Sequence, residues 1–183
     1  LLSDVNFYLE EGKKAGVIGI NGTGKSTFLK VLAGAIEPDA GRITRNPNTQ
    51  ISYLPQNPVM DDHATVLEQV FLHFPKEFRE LSEYEAKSML TKLGLTDHDQ
   101  KVGTLSGGQR KRVALVSALV HPADILILDE PTNHLDSEMV AWLEERLRAF
   151  RGGIVMVTHD RYFLERVVNH ITELSRSKIY HYE

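Results

Sequence analysis

Three short stretches carry the residues able to do chemistry: Gly19-Ile-Asn-Gly-Thr-Gly-Lys-Ser26, Leu105-Ser-Gly-Gly-Gln109 and Ile125-Leu-Ile-Leu-Asp-Glu130. In the first, Gly19, Gly22 and Gly24 let the backbone turn sharply and approach an anion with no Cβ in the way. The helical pattern that follows offers unpaired N–H groups and a dipole that favour negative charge. Lys25 adds a point charge suited to the β- and γ-phosphates of a nucleotide, and the Ser26 hydroxyl suits magnesium. Alone, such a run can be a glycine-rich turn ending in Lys-Ser. Here it follows an apolar strand and opens an apolar-striped helix, the setting a phosphate cradle needs.

In the third stretch, Asp129 and Glu130 close an apolar run. Burying unpaired carboxylates costs several kcal/mol, so the strand end is where they can meet metal and water. Asp129 is expected to hold magnesium through water, and Glu130 to orient or deprotonate an attacking water. An isolated Asp-Glu pair would more readily be a helix cap or a surface pair; the phosphate loop shifts that balance. In the middle stretch, Ser106 and Gln109 form a capping box for a helix running through Val113, Val116 and Leu119. Capping does not account for Gly107 and Gly108 in the first turn, each costing about 0.8–1 kcal/mol relative to Ala. The expectation is a second helix end that an anion approaches closely.

Positioning these residues requires strands and helices in alternation. Val17-Ile18-Gly19-Ile20, Ile125 to Leu128 and Ile154 to Val157 are continuous apolar runs rich in β-branched residues, as in strands buried on both faces. Each precedes a helical pattern: Phe28, Leu29, Val31, Leu32; Met139, Val140, Leu143, Leu147, with Glu144 and Arg148 paired on the solvent side; and Phe163, Leu164, Val167, Val168. This is an α/β class with chemistry at the carboxyl ends of the strands. Between residues 57 and 120 the pattern is helical, with capping boxes expected at Thr65/Glu68, Ser82/Glu85 and Ser106/Gln109. Ile51 to Leu54 reads as a strand, and Ile171 to Leu174 with Ile179 to Tyr182 as a hairpin around Ser175-Arg-Ser177. Leu1 to Leu9 is expected to begin near a further strand.

A chain of 183 residues fits one domain, here 1–183, with an α/β core at about 1–56 and 121–183 and a helical subdomain at about 57–120. No cysteine is present, which excludes disulfides, a thiol nucleophile and zinc-thiolate chemistry and fits a reducing, cytoplasmic setting. No apolar run approaches the roughly 20 residues a bilayer span needs. The net charge of −4 gives no electrostatic case for DNA or other nucleic acid, and Arg110-Lys-Arg112 reads as one solvated helix face.

In their order, the three stretches resemble the Walker A, signature and Walker B motifs of the ABC ATPases, and the resemblance covers essentially the whole chain. It implies a P-loop fold with a mainly parallel core sheet, an antiparallel β part and a helical subdomain between Q-loop and signature. Its ligands are ATP and Mg2+. It assigns ATP contacts to Asn21, Gly22, Thr23, Gly24, Lys25, Ser26 and Thr27, and the metal to Ser26, Gln56 and Asp129. It gives catalytic roles to Glu130, His159, Gln56 and Lys25, with Gln56 in the Q-loop and His159 as the switch histidine. Ser106, Gly107, Gly108 and Gln109 serve the ATP of a second ABC domain, and Asp136 in Asn133-His-Leu-Asp136 matches the D-loop that crosses to it. Without the resemblance, Gln56 is a surface amide, Asp136 a helix cap and His159 a polar residue at a strand end. The remaining histidines form no tight ligand cluster and read as structural or solvated.

Leu105 to Leu115, Pro131 to Asp136, Thr158 to Leu164 and the tail Ile171-Thr-Glu-Leu…Lys178-Ile-Tyr-His-Tyr182 are similar to the ABC-F proteins. These carry two ABC domains in one chain, have no transmembrane part and act on the ribosome, so this chain is expected to be the first of the two, partnered by the second in the same full-length chain or, as a fragment, by its own copy in a homodimer. The adenine-stacking aromatic is then expected upstream of Leu1. The stretch from Gln56 to Leu105 is too short for the long helical arm some members insert, and Ser175-Arg-Ser177 stands where a glycine turn is common. Two other readings remain: the motor subunit of a membrane transporter, and a nucleotide-gated binding module that barely hydrolyses, against which Glu130 speaks.

Overall fold

The computed structural model describes residues 12–19, 24–35, 43, 48–175 and 178–182, with side chains as far as residue 173. It forms two compact units, one of Leu1–Gln56, Ala123–Thr132 and Ala141–Glu183, the other of Asn57–Pro122 and Asn133–Val140.

The first unit is built on strands β1 (Lys14–Ile18), β2 (Ile51–Leu54), β3 (Ile125–Asp129), β4 (Gly153–Val157), β5 (His170–Ser175) and β6 (Lys178–Tyr182). They lie in the order β2-β3-β4-β1-β5-β6. All neighbours are parallel except β5 and β6, which pair antiparallel with Ile171 opposite Tyr182. All five residues of β4 are buried, as strands covered on both faces require. β1 starts at Lys14, ahead of the apolar run, because Lys14 to Val17 pair with Ile154 to Val157. Ile20, Arg176, Ser177 and Leu1 to Leu9 lie outside the described residues.

Helix α1 (Lys25–Ala33) lays Phe28 and Leu29 on Val17, Ile127, Val155 and Val157. In the same unit, Glu144 departs from expectation. It lies 3.7 Å from Arg148 across one helical turn, yet it is buried, because the Arg166 guanidinium covers it with Nε 2.5 Å from Oε1. Lys14 Nζ donates to the carbonyls of Leu147 and Arg148, 2.9 and 2.8 Å away, placing a cation where a helix end is negative. Burial, and then Arg148, holds the Lys14 pKa below its ordinary value.

The second unit contains α2 (Val66–Val70), α3 (Lys76–Lys92), a 3-10 turn at Val102–Thr104 and α4 (Gly107–Val120). Among its described residues the only β pairing is an isolated bridge between Thr65 and Lys101. Both members of the Thr65/Glu68 and Ser106/Gln109 capping boxes are formed. Ser82 and Glu85 are not a cap: they lie inside α3, whose N-cap is Pro75. Proline's fixed φ and missing N–H suit that start, and the helix runs through the later signal. Helix α5 (Ser137–Ala149) begins in this unit, and α6 (Arg161–Val167) belongs to the first.

Because Leu29 is fully buried in the layer between α1 and the sheet, Leu29→Ala should lower unfolding free energy by about 2–5 kcal/mol. Lys30→Ala, on the exposed side, should change it by less than about 0.5 kcal/mol. Urea unfolding of both variants checks the contrast.

Candidate functional site

Helix α1 starts at Gly24, whose φ of +88° lies in the left-handed region that favours glycine. Among the described residues its first turn has no side-chain cap and no acid, so its N–H groups and dipole are suited to an anion. Lys25 Nζ donates to the Gly19 carbonyl, across the ends of the loop. Asn21, Gly22 and Thr23 lie outside the described residues, and Thr27 is exposed. Ser26 Oγ donates to Gln56 Oε1 at 3.4 Å, so two expected metal ligands, far apart in sequence, are neighbours.

The other acids sit at the ends of β3 and β4. Asp129 is opposite Val157 and shares the strand face of Ile125 and Ile127, which pack on the α1 side. Its carboxylate is therefore carried on the α1 face, and it is buried at 3% exposure. Tyr53, one strand away on the same face, has a buried hydroxyl with no hydrogen-bond partner among the described residues. Burial raises its pKa, and the charge of Asp129 adds to the effect.

Glu130 takes φ +52°, uncommon for a side-chain-bearing residue, while its N–H donates to the Val157 carbonyl at 2.7 Å. Its carboxylate is buried and held twice. The His159 backbone N–H donates to Oε2 at 3.2 Å, and His159 Nε2 lies 3.1 Å from Oε1. The imidazole itself is 66% exposed. Asp160 fixes the next step of the chain by capping α6 at Phe163 N, 3.0 Å away.

Oxygen donors from Ser26, Gln56 and Asp129 are the hard set magnesium takes, and the buried Asp129 carboxylate on the α1 face fits such an ion. An uncapped, acid-free helix start beside a lysine fits the phosphates of ATP.

In the second unit, Ser106 caps α4 at Gln109 N, 3.1 Å away. Its two glycines differ in surroundings. Nothing lies within 4 Å of a Cβ built on Gly107, among the described residues, whereas one on Gly108 would meet His134. Asp136 Oδ1 accepts from Met139 N at 2.9 Å and so caps α5. The basic run is only partly solvated. Arg110 pairs with Asp62 at 2.7 Å, and Arg112 Nε is buried. Sequence reasoning passed over Tyr53 and His134. The alternation of β2 could have flagged the first; nothing local marks the second.

A family model described as "ABC transporter" matches residues 2–133, well over half of the chain. The chain belongs to the ABC ATPases. This ABC ATPase domain is 40% identical to the uncharacterized ABC transporter ATP-binding protein YfmR of Bacillus subtilis, over 100% of the chain and 35% of YfmR. It is 37% identical to the energy-dependent translational throttle protein EttA of Haemophilus influenzae, over 97% of the chain and 39% of EttA. These relatives make it an ABC-F type domain, and the chain spans well under half of their lengths. Among solved structures, the dimeric post-hydrolysis state of the ATP-binding cassette MJ0796 bound to ADP and Pi superposes with a TM-score of 0.83 at 25% identity. That match covers 100% of the chain and 90% of the cassette. ATP hydrolysis to ADP and phosphate is the family's reaction. Among the described residues, no helix of this ABC ATPase domain is long and apolar enough to cross a membrane.

Removing the unpartnered hydroxyl by Tyr53→Phe should leave stability unchanged or raise it by about 1 kcal/mol. Chemical unfolding measures this; a loss of about 1 kcal/mol or more would show that the hydroxyl has a partner.

Proposed function

We propose that this ABC ATPase domain binds ATP with Mg2+ and hydrolyses it in a composite site completed by a second ABC domain. We further propose that the cycle drives a translation-factor role on the ribosome, in the cytoplasm. The observation that carries the chemistry is the buried Glu130 carboxylate gripped by His159 at the ends of β3 and β4. The identity to EttA, a translational throttle by name, supports the ribosomal role. The dimeric cassette bound to ADP and Pi supports the two-domain site.

Lys25 and the first turn of α1 neutralise phosphate charge. Ser26, Gln56 and Asp129 would hold magnesium, which would supply further positive charge at the phosphate oxygens. Gln56 and Glu130 place a water in line with the γ-phosphorus. As the water oxygen attacks, Glu130 takes its proton; the bond from the γ-phosphorus to the bridging oxygen breaks and ADP leaves with that electron pair. His159 keeps the carboxylate aimed and presents its exposed imidazole to the γ-phosphate. Ser106, Gly107, Gly108 and Gln109 on α4, with Asp136, serve the nucleotide held by the partner domain. Closing on ATP and opening after hydrolysis is the mechanical output.

A transporter motor is the second reading, favoured by the description of the matching family model. Ribosome co-sedimentation of the full-length protein carrying Glu130→Gln, with and without ATP, separates the two: ATP-dependent retention supports the translation role.

Glu130→Gln should keep ATP affinity, read with a fluorescent nucleotide, while turnover falls by about 10²–10⁴. Normal phosphate release by that variant removes Glu130 from catalysis. For the isolated domain, ATPase activity per molecule should fall on dilution, because the site needs a partner. Activity independent of concentration in a proven monomer contradicts a composite site.

A further inference from the structure

Within the second unit, the segment after Asn133 lies against the first turns of α4. A Cβ on Gly108 would stand 3.2 Å from His134 Cβ, 3.3 Å from Cγ and 3.4 Å from Nδ1. Turning the imidazole to another rotamer moves the ring but not Cβ, whose place the backbone sets. That backbone is itself held. His134 has φ +64°, and its carbonyl accepts from Arg112 Nη1 at 3.5 Å. Two residues on, Asp136 Oδ1 and Asp136 O accept from the N–H groups of Met139 and Val140, each at 2.9 Å. Arg112 Nη1 also lies 3.9 Å from Met139 Sδ. Positions 108 and 112 are one helical turn apart, so a single stripe of α4 meets this segment.

We infer that His134 is a positioning residue that joins the loop carrying Asp136 to the first turn of α4, and that Gly108 is small in order to seat it. The inference rests on the two-domain reading proposed above. There, the Ser106–Gln109 turn and Asp136 both serve the partner's half of the site. The seat makes them one body, so that ordering either one orders the other.

The test uses the full-length protein with Gly108→Ala, His134→Gly and the double substitution, read by ATP turnover and by amide exchange. Gly108→Ala should lower turnover about tenfold or more and speed exchange at Met139 and Val140. His134→Gly removes the obstructing Cβ and suits a positive φ. The double variant should therefore exchange at Met139 and Val140 within about threefold of His134→Gly alone, because both substitutions break the same contact. Exchange at Met139 and Val140 that is faster in the double variant than in His134→Gly by as much as Gly108→Ala alone speeds it overturns the inference, because the two residues then act independently. Should Gly108→Ala not fold, His134→Gly alone decides: faster exchange at Met139 and Val140 supports the seat, and unchanged exchange overturns it. Glu130→Gln measured alongside reports separately on the two-domain reading, which fails if that variant turns over ATP normally.

Discussion

One backbone hydrogen bond, from Glu130 N–H to the Val157 carbonyl, sets the arrangement of the residues proposed for catalysis. A strand's period of two would send Glu130 to the face opposite Asp129. The turn to φ +52° at Glu130 breaks that alternation and delivers its carboxylate to His159, while Asp129 stays on the α1 side. Left-handed backbone at a side-chain-bearing residue costs of order 1–3 kcal/mol. The hydrogen bonds to His159 and Val157 are what hold it there. The strain is local, and it sits at the residue assigned the proton transfer.

What was legible in the sequence is what depends on near neighbours. β3 and β4 follow from runs of β-branched residues, and the caps at Thr65 and Ser106 follow from partners three residues away. Those features need no knowledge of the fold. Glu144 shows where such reasoning stops: its pairing with Arg148 is a matter of helical spacing, but its burial is decided by Arg166 on another helix. Ser82 and Glu85 had the spacing of a cap, yet a helix already running from Lys76 passes through them.

The candidate site divides in the same way. Lys25, Ser26, Asp129 and Glu130 lie in contiguous motifs, so residue types and order were enough to propose them. Gln56 and His159 needed a family pattern, and the contacts of each with Ser26 and Glu130 needed the fold. The two glycines of α4 looked alike in sequence because each lacks a side chain. Only their surroundings separate them, and those are supplied by a segment beginning more than twenty residues later.

The central strand β1 has a temporal consequence. Its two neighbours, β4 and β5, both lie far downstream of it in sequence, with Lys14 opposite Ile154 and Ala15 opposite His170. During synthesis β1 emerges well before β4 and β5 and finds neither neighbour until both have left the tunnel. The phosphate loop it carries thus acquires its support late, and the nascent chain must keep an apolar strand unpaired while translation proceeds.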